Sequence, residues 1–178
     1  MDWLKGNRIK LRALEPTDID DLYKWENDSE LWHVSDTVTP YSKYLLKEYI
    51  ESAPKDIYEN RQLRLVIEAE PDGKNESVGA IDLFEYDPYH NRAAIGIFVD
   101  KAYQRNGYGS EAMEVIKKYA FSYLHLKMLY CHVGADNPVS VSFFKNAGFE
   151  VCGQLKEWLK GVNGYVDSYV LQCINPDV

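Results

Sequence analysis

The stretch Gln104-Arg105-Asn106-Gly107-Tyr108-Gly109 constrains this chain more than any other. It lies between an apolar run, Ala93 to Val99, and a segment from Ser110 to Leu124. In that segment Ala112, Val115, Ile116, Tyr119, Ala120 and Tyr123 recur three and four apart. The pattern predicts a strand, a glycine-rich break and an amphipathic helix. Glycines let backbone approach a ligand closely and turn several N–H groups the same way. The helix start behind them adds four unpaired donors and a partial positive charge. Such a place suits a pyrophosphate.

Two architectures use such a loop. Gly107, Gly109 and Ala112 fit the dinucleotide fingerprint G-x-G-x-x-A. That fold needs a βαβ unit, an acidic residue some twenty positions on, and further parallel strands. Here the next strand ends near Val133, the first acid is Asp136, and too little chain follows. The other elements point elsewhere. Arg8 to Leu14 alternates as a strand. Pro16-Thr17 with Asp18, Asp20 and Asp21 reads as a helix start, and a second helix runs from about Ser42 to Ile50. Leu63 to Glu68, the turn Pro71-Asp72-Gly73-Lys74, Val78 to Phe84 and Ala93 to Val99 make a three-strand meander. Met128 to Val133 is a strand, and Asn137 to Asn146 a short helix with Asn137 as N-cap and Gly148 as its stop. Phe149 to Trp158 and Tyr165 to Ile174 close the chain as two strands. The fold class is α/β, with a mixed, mostly antiparallel sheet of about six to seven strands flanked by helices.

The 178 residues suit a single domain, 1–178, with a core that needs neither disulfide nor metal. A net charge of −8 argues against non-specific nucleic-acid binding, which needs a basic face. Cys131, Cys152 and Cys173 are odd in number and lack CxxC spacing, which suits a reducing, cytoplasmic setting. With His33, His90, His125 and His132 they form no metal-ligand pattern, so no metal is expected. Asp2, Lys5 and Arg8 interrupt the N-terminus early, so neither a signal peptide nor a membrane span is expected.

The loop Gln104, Gly107, Gly109 resembles the coenzyme loop Q/R-x-x-G-x-G/A of the GNAT N-acetyltransferase superfamily. Asn137 opening a helix that ends in Gly148-Phe149 matches that family downstream. Asn91-Arg92-Ala93-Ala94-Ile95-Gly96, Gly153-Gln154-Leu155-Lys156, Asn163-Gly164-Tyr165 and Asp167 resemble its ribosomal-protein and spermidine acetyltransferase branch. The resemblance runs from Arg8 to Ile174. It implies acetyl-coenzyme A as cosubstrate and direct attack by a primary amine, with no covalent enzyme intermediate. Its pantetheine arm would pair with Ile97, Phe98 and Val99, and an N–H near Val99 would polarise the thioester carbonyl. Gln104, Arg105, Asn106, Gly107, Tyr108, Gly109 and Ser110 would hold the pyrophosphate. Asn137 would contact the pantetheine or orient the last helix. A homo-oligomer is compatible with the resemblance.

Two departures bear on the chemistry. Many relatives carry a tyrosine seven residues after the asparagine, to protonate the leaving thiolate; here it is Phe144. The ribosomal-protein branch has a serine three residues after the asparagine, and Asn137-Pro138-Val139-Ser140 makes Ser140 the candidate acid. A glutamate often follows the arginine-alanine pair, but here it is Ala94, which leaves Glu85 and Glu157 as candidate bases. The acceptor stays open between a protein N-terminal α-amine and a polyamine. A missing base favours the α-amine, because an amine of pKa ~10.4 must lose a proton against about three units at pH 7.5, roughly 4 kcal/mol. The acids Asp18, Asp20, Asp21, Glu26, Asp28 and Glu30 favour the polyamine. The departures also admit a coenzyme-binding module without turnover; the dinucleotide oxidoreductase is the remote alternative.

Overall fold

The computed structural model describes residues 2–35, 37–53, 56–161 and 163–178. The chain starts with β1 (Ile9–Ala13), a 3-10 turn (Pro16–Asp18), α1 (Ile19–Glu26), α2 (Trp32–Ser35), α3 (Lys43–Ser52) and α4 (Ile57–Asn60). The meander β2 (Leu63–Ala69), β3 (Glu76–Asp87) and β4 (Arg92–Val99) follows. Next come α5 (Tyr108–Lys118), β5 (Met128–Gly134), α6 (Pro138–Asn146), β6 (Glu150–Gly161) and β7 (Gly164–Ile174).

One seven-stranded sheet runs in the order β1-β2-β3-β4-β5-β7-β6, with only the β4–β5 pair parallel. Alternation along each strand sends side chains to opposite faces. Leu65, Ile67, Ile81 and Leu83 join the core under Ala112, Met113 and Ile116 of α5. Val66 and Ala80 point to the other face, under Leu22 and Trp25 of α1 and Leu46 and Ile50 of α3. A one-residue slip would exchange these two sets. The β4–loop–α5–β5 stretch is a lone parallel unit in an antiparallel sheet. The doubly wound sheet of a dinucleotide fold is therefore not formed.

The cap read from the sequence holds: Asn137 accepts the Ser140 N–H at 3.1 Å. Ser42, expected near the start of the second helix, is the N-cap of α3 and accepts the Leu45 N–H. Several bounds differ from expectation. The helix expected over Ser110 to Leu124 begins at Tyr108, because Gly107 (φ +82°) turns the chain into it. Its last turn, Tyr119–Tyr123, widens to a π-turn with the Leu124 N–H bonded to the Tyr119 carbonyl. β3 runs past Phe84 through a bulge where Glu85 takes φ +50°. The four-residue helices α2 and α4 are too short to leave a periodic signal.

A buried ion cluster pins the first helical segment to the sheet. Arg12 of β1 donates to both oxygens of Asp18 at 2.8 Å and, through Nε, to Glu68 of β2 at 2.7 Å. Asp18 is 3% exposed and also accepts the Glu15 N–H. Burial alone would push the Asp18 carboxyl up; the Arg12 guanidinium and the Glu15 N–H outweigh it and hold it below the ordinary 3.8. Removing one partner of such a pair costs about 3–5 kcal/mol. Asp18→Ala is therefore expected to lower the melting temperature by roughly 6–20 °C, at about 2–4 °C per kcal/mol. The unfolded chain takes up the Asp18 proton first. This contribution is thus full above the unfolded value and is lost as pH falls through the folded one. Thermal unfolding of parent and Asp18→Asn proteins from pH 6 to pH 2.5 checks it: the gap between them should shrink on acidification.

Candidate active site

The site begins with a failure of strand pairing. β4 pairs with β5 at Arg92–Met128, Ala93–Leu129 and Ala94–Tyr130, and the two strands part beyond Ala94. β4 keeps β3 along its other edge, from Ala94 to Val99. The Asp100 N–H bonds the Val78 carbonyl, which fixes the phase of that ladder. Phe98 and Gly96 face β3, so Ile95, Ile97 and Val99 turn their backbone groups into the gap. Gln104 Nε2 takes one of them, the Val99 carbonyl, at 2.9 Å. Ile97, Phe98 and Val99 are half-buried.

The loop Gln104–Ser110 closes the wide end of this gap. Arg105 (φ +64°) and Gly107 (φ +82°) are both left-handed, and only the glycine adopts that region without strain. Gly109 sits where a Cβ would lie 3.3 Å from Val99 Cγ2 and 3.7 Å from Ile97 and Phe143. This tight cradle at a helix start, beside an open strand edge, fits a phosphate-bearing thioester cosubstrate.

From the gap a cleft of about 1620 Å³ runs toward α1 and α3 on one side and the β6–β7 hairpin on the other. Ile97, Phe98, Asn137, Ser140, Phe144 and Glu85 line it; Val99, the loop Gln104–Ser110 and Glu157 do not. Asn137 and Ser140 are brought together at the start of α6, half-buried at the cleft wall. Phe144, one turn further, is 6% exposed and packs edge-on against Phe143 and Phe149, so it is both core and wall. Glu85 accepts from the Tyr130 hydroxyl at 2.8 Å, a bond that spans β4 at the narrow end of the gap. Burial, then this carboxylate, pushes the Tyr130 phenol up to about 12. Glu157 stands on the exposed outer hairpin, where its N–H donates to Asp167.

The cleft also holds residues the sequence reading missed. Arg64 of β2 donates to both oxygens of Asp82 on β3, at 2.7 and 2.9 Å, and to Glu26 of α1 at 2.5 Å. Its guanidinium lies 5.5 Å from the Tyr49 ring centre. Burial works against its charge, but Asp82 and Glu26 hold its pKa above the ordinary value. Burial likewise pushes the Tyr49 phenol up to about 12. One guanidinium against two carboxylates leaves this cluster net negative. The signal was present: Arg64 and Asp82 are the charged residues opposite each other in two otherwise apolar runs. Trp25 lines the cleft too, 5.5 Å from the Phe98 ring, and its indole N–H donates to buried Asp100 at 3.0 Å. Trp158 and Tyr165 of the hairpin overhang the opening. Among the described residues no His/Cys/Asp/Glu group has metal-site geometry, and no helix is long and apolar enough to cross a membrane.

Comparison with known proteins agrees with this geometry. The model of the acetyltransferase (GNAT) domain matches residues 8–150. The spermidine N(1)-acetyltransferase of Escherichia coli (strain K12) is 27% identical over 172 residues, covering 95% of this chain and 87% of that one. A probable N-acetyltransferase of Bacillus subtilis, YjcK, is 29% identical over 184 residues, covering 98% of each. The crystal structure of spermidine N-acetyltransferase from Vibrio cholerae in complex with CoA and spermine superposes with a TM-score of 0.84 at 25% identity, covering 94% of this chain and 96% of that one. The family model spans most of the chain: this protein belongs to the GNAT acetyltransferase family, and it is an acyltransferase.

Proposed function

We propose that this protein transfers an acetyl group from acetyl-coenzyme A to a primary amine of a polyamine, within one catalytic domain spanning 1–178. The observation that carries the acceptor is the acidic cleft beside the open edge of β4. There Glu26 and Asp82 share one guanidinium, and the partner of Glu85 among the described residues is a neutral hydroxyl. A cationic amine gains on the order of 4 kcal/mol per unpaired carboxylate at ~4 Å near a protein surface, before desolvation. A peptide N-terminus carries one such charge, a polyamine several. The spermidine acetyltransferase relatives support the same choice. The cytoplasmic setting expected from the cysteine pattern goes with this reading.

Acetyl-coenzyme A supplies the activated acyl group; the amine nitrogen forms the new C–N bond as the C–S bond breaks. Ile97, Phe98 and Val99 offer the strand edge for the pantetheine arm, and Asn137 borders it. The Val99 N–H is the donor for the thioester carbonyl oxygen. Gln104, Arg105, Asn106, Gly107, Tyr108, Gly109 and Ser110 form the phosphate cradle. Ser140 gives its proton to the departing sulfur, and its hydroxyl is restored by the second proton that the nitrogen sheds as the amide forms. Glu85, the candidate base that lines the cleft, receives the ammonium proton, and Tyr130 holds its carboxylate in place. Abstracting that proton from an amine of pKa ~10.4 is the roughly 4 kcal/mol task that an α-amine would largely avoid.

Thiol release from acetyl-coenzyme A tests the acceptor, with spermidine, spermine, an N-terminal peptide of a ribosomal protein and an aminoglycoside as the panel. The polyamines should give the highest kcat/KM. A faster peptide would move the assignment to protein N-termini, and coenzyme binding without thiol release from any amine would make the protein a binding module.

Two substitutions probe the machinery. Gly107→Val puts a β-branched residue at φ +82°, with its Cβ 2.9 Å from the Arg8 guanidinium. Saturating coenzyme A should raise the parent melting temperature by about 5–11 °C at 100 times the dissociation constant, and the folded variant by nothing measurable. An equal rise in both would reduce the loop to a turn. Ser140→Ala should lower kcat by ~10²-fold with coenzyme affinity unchanged. Adding Phe144→Tyr, which restores a hydroxyl at the cleft wall, should return part of that rate. Parent turnover by Ser140→Ala would leave the serine only its place in the first turn of α6.

A further inference from the structure

Arg8 stands just before β1, on the edge strand farthest from β5, yet its side chain lies over the phosphate loop. α5 brings this about by crossing the sheet face, with Glu111 of its first turn facing the start of β1. Glu111 Oε1 accepts the Asn7 N–H at 2.5 Å and the Arg8 N–H at 2.8 Å, while Oε2 accepts Arg8 Nε at 3.1 Å. Gly6 leaves room for this carboxylate, since a Cβ there would lie 2.5 Å from Oε1. Burial would push the Glu111 carboxyl up, but the two N–H groups and the guanidinium hold it low, so it stays charged. The guanidinium so aimed donates from Nη1 to the Asn106 carbonyl at 2.9 Å and sits 5.5 Å from the Tyr108 ring centre. Its Nη2 is 2.9 Å from the place a Gly107 side chain would start.

We propose that Arg8, held by Glu111, is a positioning residue for the coenzyme loop, a role that rests on the coenzyme reading above. The trans peptide between Asn106 and Gly107 is planar, so holding its carbonyl toward Arg8 turns the Gly107 N–H the opposite way. That orients the donor that opens the helix start. The loop cannot hold this shape unaided: Arg105 is a non-glycine residue at φ +64°, a strained conformation that persists only where surroundings fix it. Arg8 also cancels the Glu111 charge, which would otherwise oppose phosphate at the first turn of α5. A lysine cannot replace it, because a single ammonium lacks the planar fork that bridges Glu111 and the Asn106 carbonyl.

Calorimetric titration with coenzyme A and with dephospho-coenzyme A tests the role, alongside thermal unfolding without ligand. Arg8→Ala, Arg8→Lys and Glu111→Gln should each weaken both ligands by the same factor, about tenfold, with kcat at saturating acetyl-coenzyme A within twofold of the parent. Arg8→Ala combined with Glu111→Gln should lose little beyond Arg8→Ala alone, since the pair acts as one unit. Unchanged affinity in Arg8→Lys would overturn the proposal, and that variant keeps the charge should Arg8→Ala fail to fold. A loss confined to coenzyme A and absent with dephospho-coenzyme A would also overturn it, making Arg8 a contact of the 3′-phosphate. A parent protein that binds neither ligand would overturn the coenzyme reading itself.

Discussion

The parting of β4 from β5 is the constraint on which the rest of this structure depends. Three rungs join the strands, and then β4 runs on with only one neighbour. An unpaired backbone group taken from water costs about 1–3 kcal/mol, so such an edge survives only where water or a ligand reaches it. Here Ile97, Phe98 and Val99 are half-buried beside an open cleft. The sheet stays whole because β5 is carried by β7 on its other side and because Gly109 of α5 packs against Ile97, Val99 and Phe143. The two helices thus brace the two arms of the gap.

Charged residues then tie the parts that flank the gap. Asp100, the residue after Val99, is 7% exposed and accepts from Lys24 and Trp25 of α1 and from the Ala102 N–H. The end of β4 is therefore fixed to the helix that lines one side of the cleft. Arg64 does the same further in, joining α1 to β2 and β3 through Glu26 and Asp82. Removing charges from water in this way is weak evidence for stability, because desolvation offsets much of the attraction. What the cluster secures is geometry: α1 is held at one height over the sheet, and a net negative floor is left beneath the cleft.

Two positions where the family resemblance pointed to polar groups carry apolar side chains in this chain. Phe144 fills a wall where a tyrosine is common, and Ala94 leaves the strand entry without a carboxylate. Glu85 reaches the same narrow end of the gap from the neighbouring strand, because a bulge at φ +50° turns its side chain off the normal alternation. That position could not be read from spacing within β4, since it depends on how β3 bends over it.

Sequence alone determined the local elements and their meaning: the loop Gln104–Gly109 before an amphipathic helix, the cap at Asn137, and the alternation that sends Leu65 and Val66 to opposite faces. These follow from contacts within one or two turns of chain, where residue type and period are enough. The Asn137–Ser140 pair belongs to the same class, being three residues apart. The bulge at Glu85 and the π-turn at Tyr119–Tyr123 escaped because no residue type or period marks them, and the helices α2 and α4 because four residues leave no periodic signal. So did Arg64 and Asp82 in the cleft and the pair that shapes the loop, although Glu26 and Glu85 were among the acids named from the sequence. Arg64 meets Asp82 across 18 residues and Glu26 across 38, and Arg8 meets Glu111 across 103. Only the tertiary structure could place Glu85 at the cleft and Glu157 away from it, since each reads in sequence as a strand charge. The physical reason is that a charged residue's role is set by what else is buried beside it, and sheet order, not chain order, decides that.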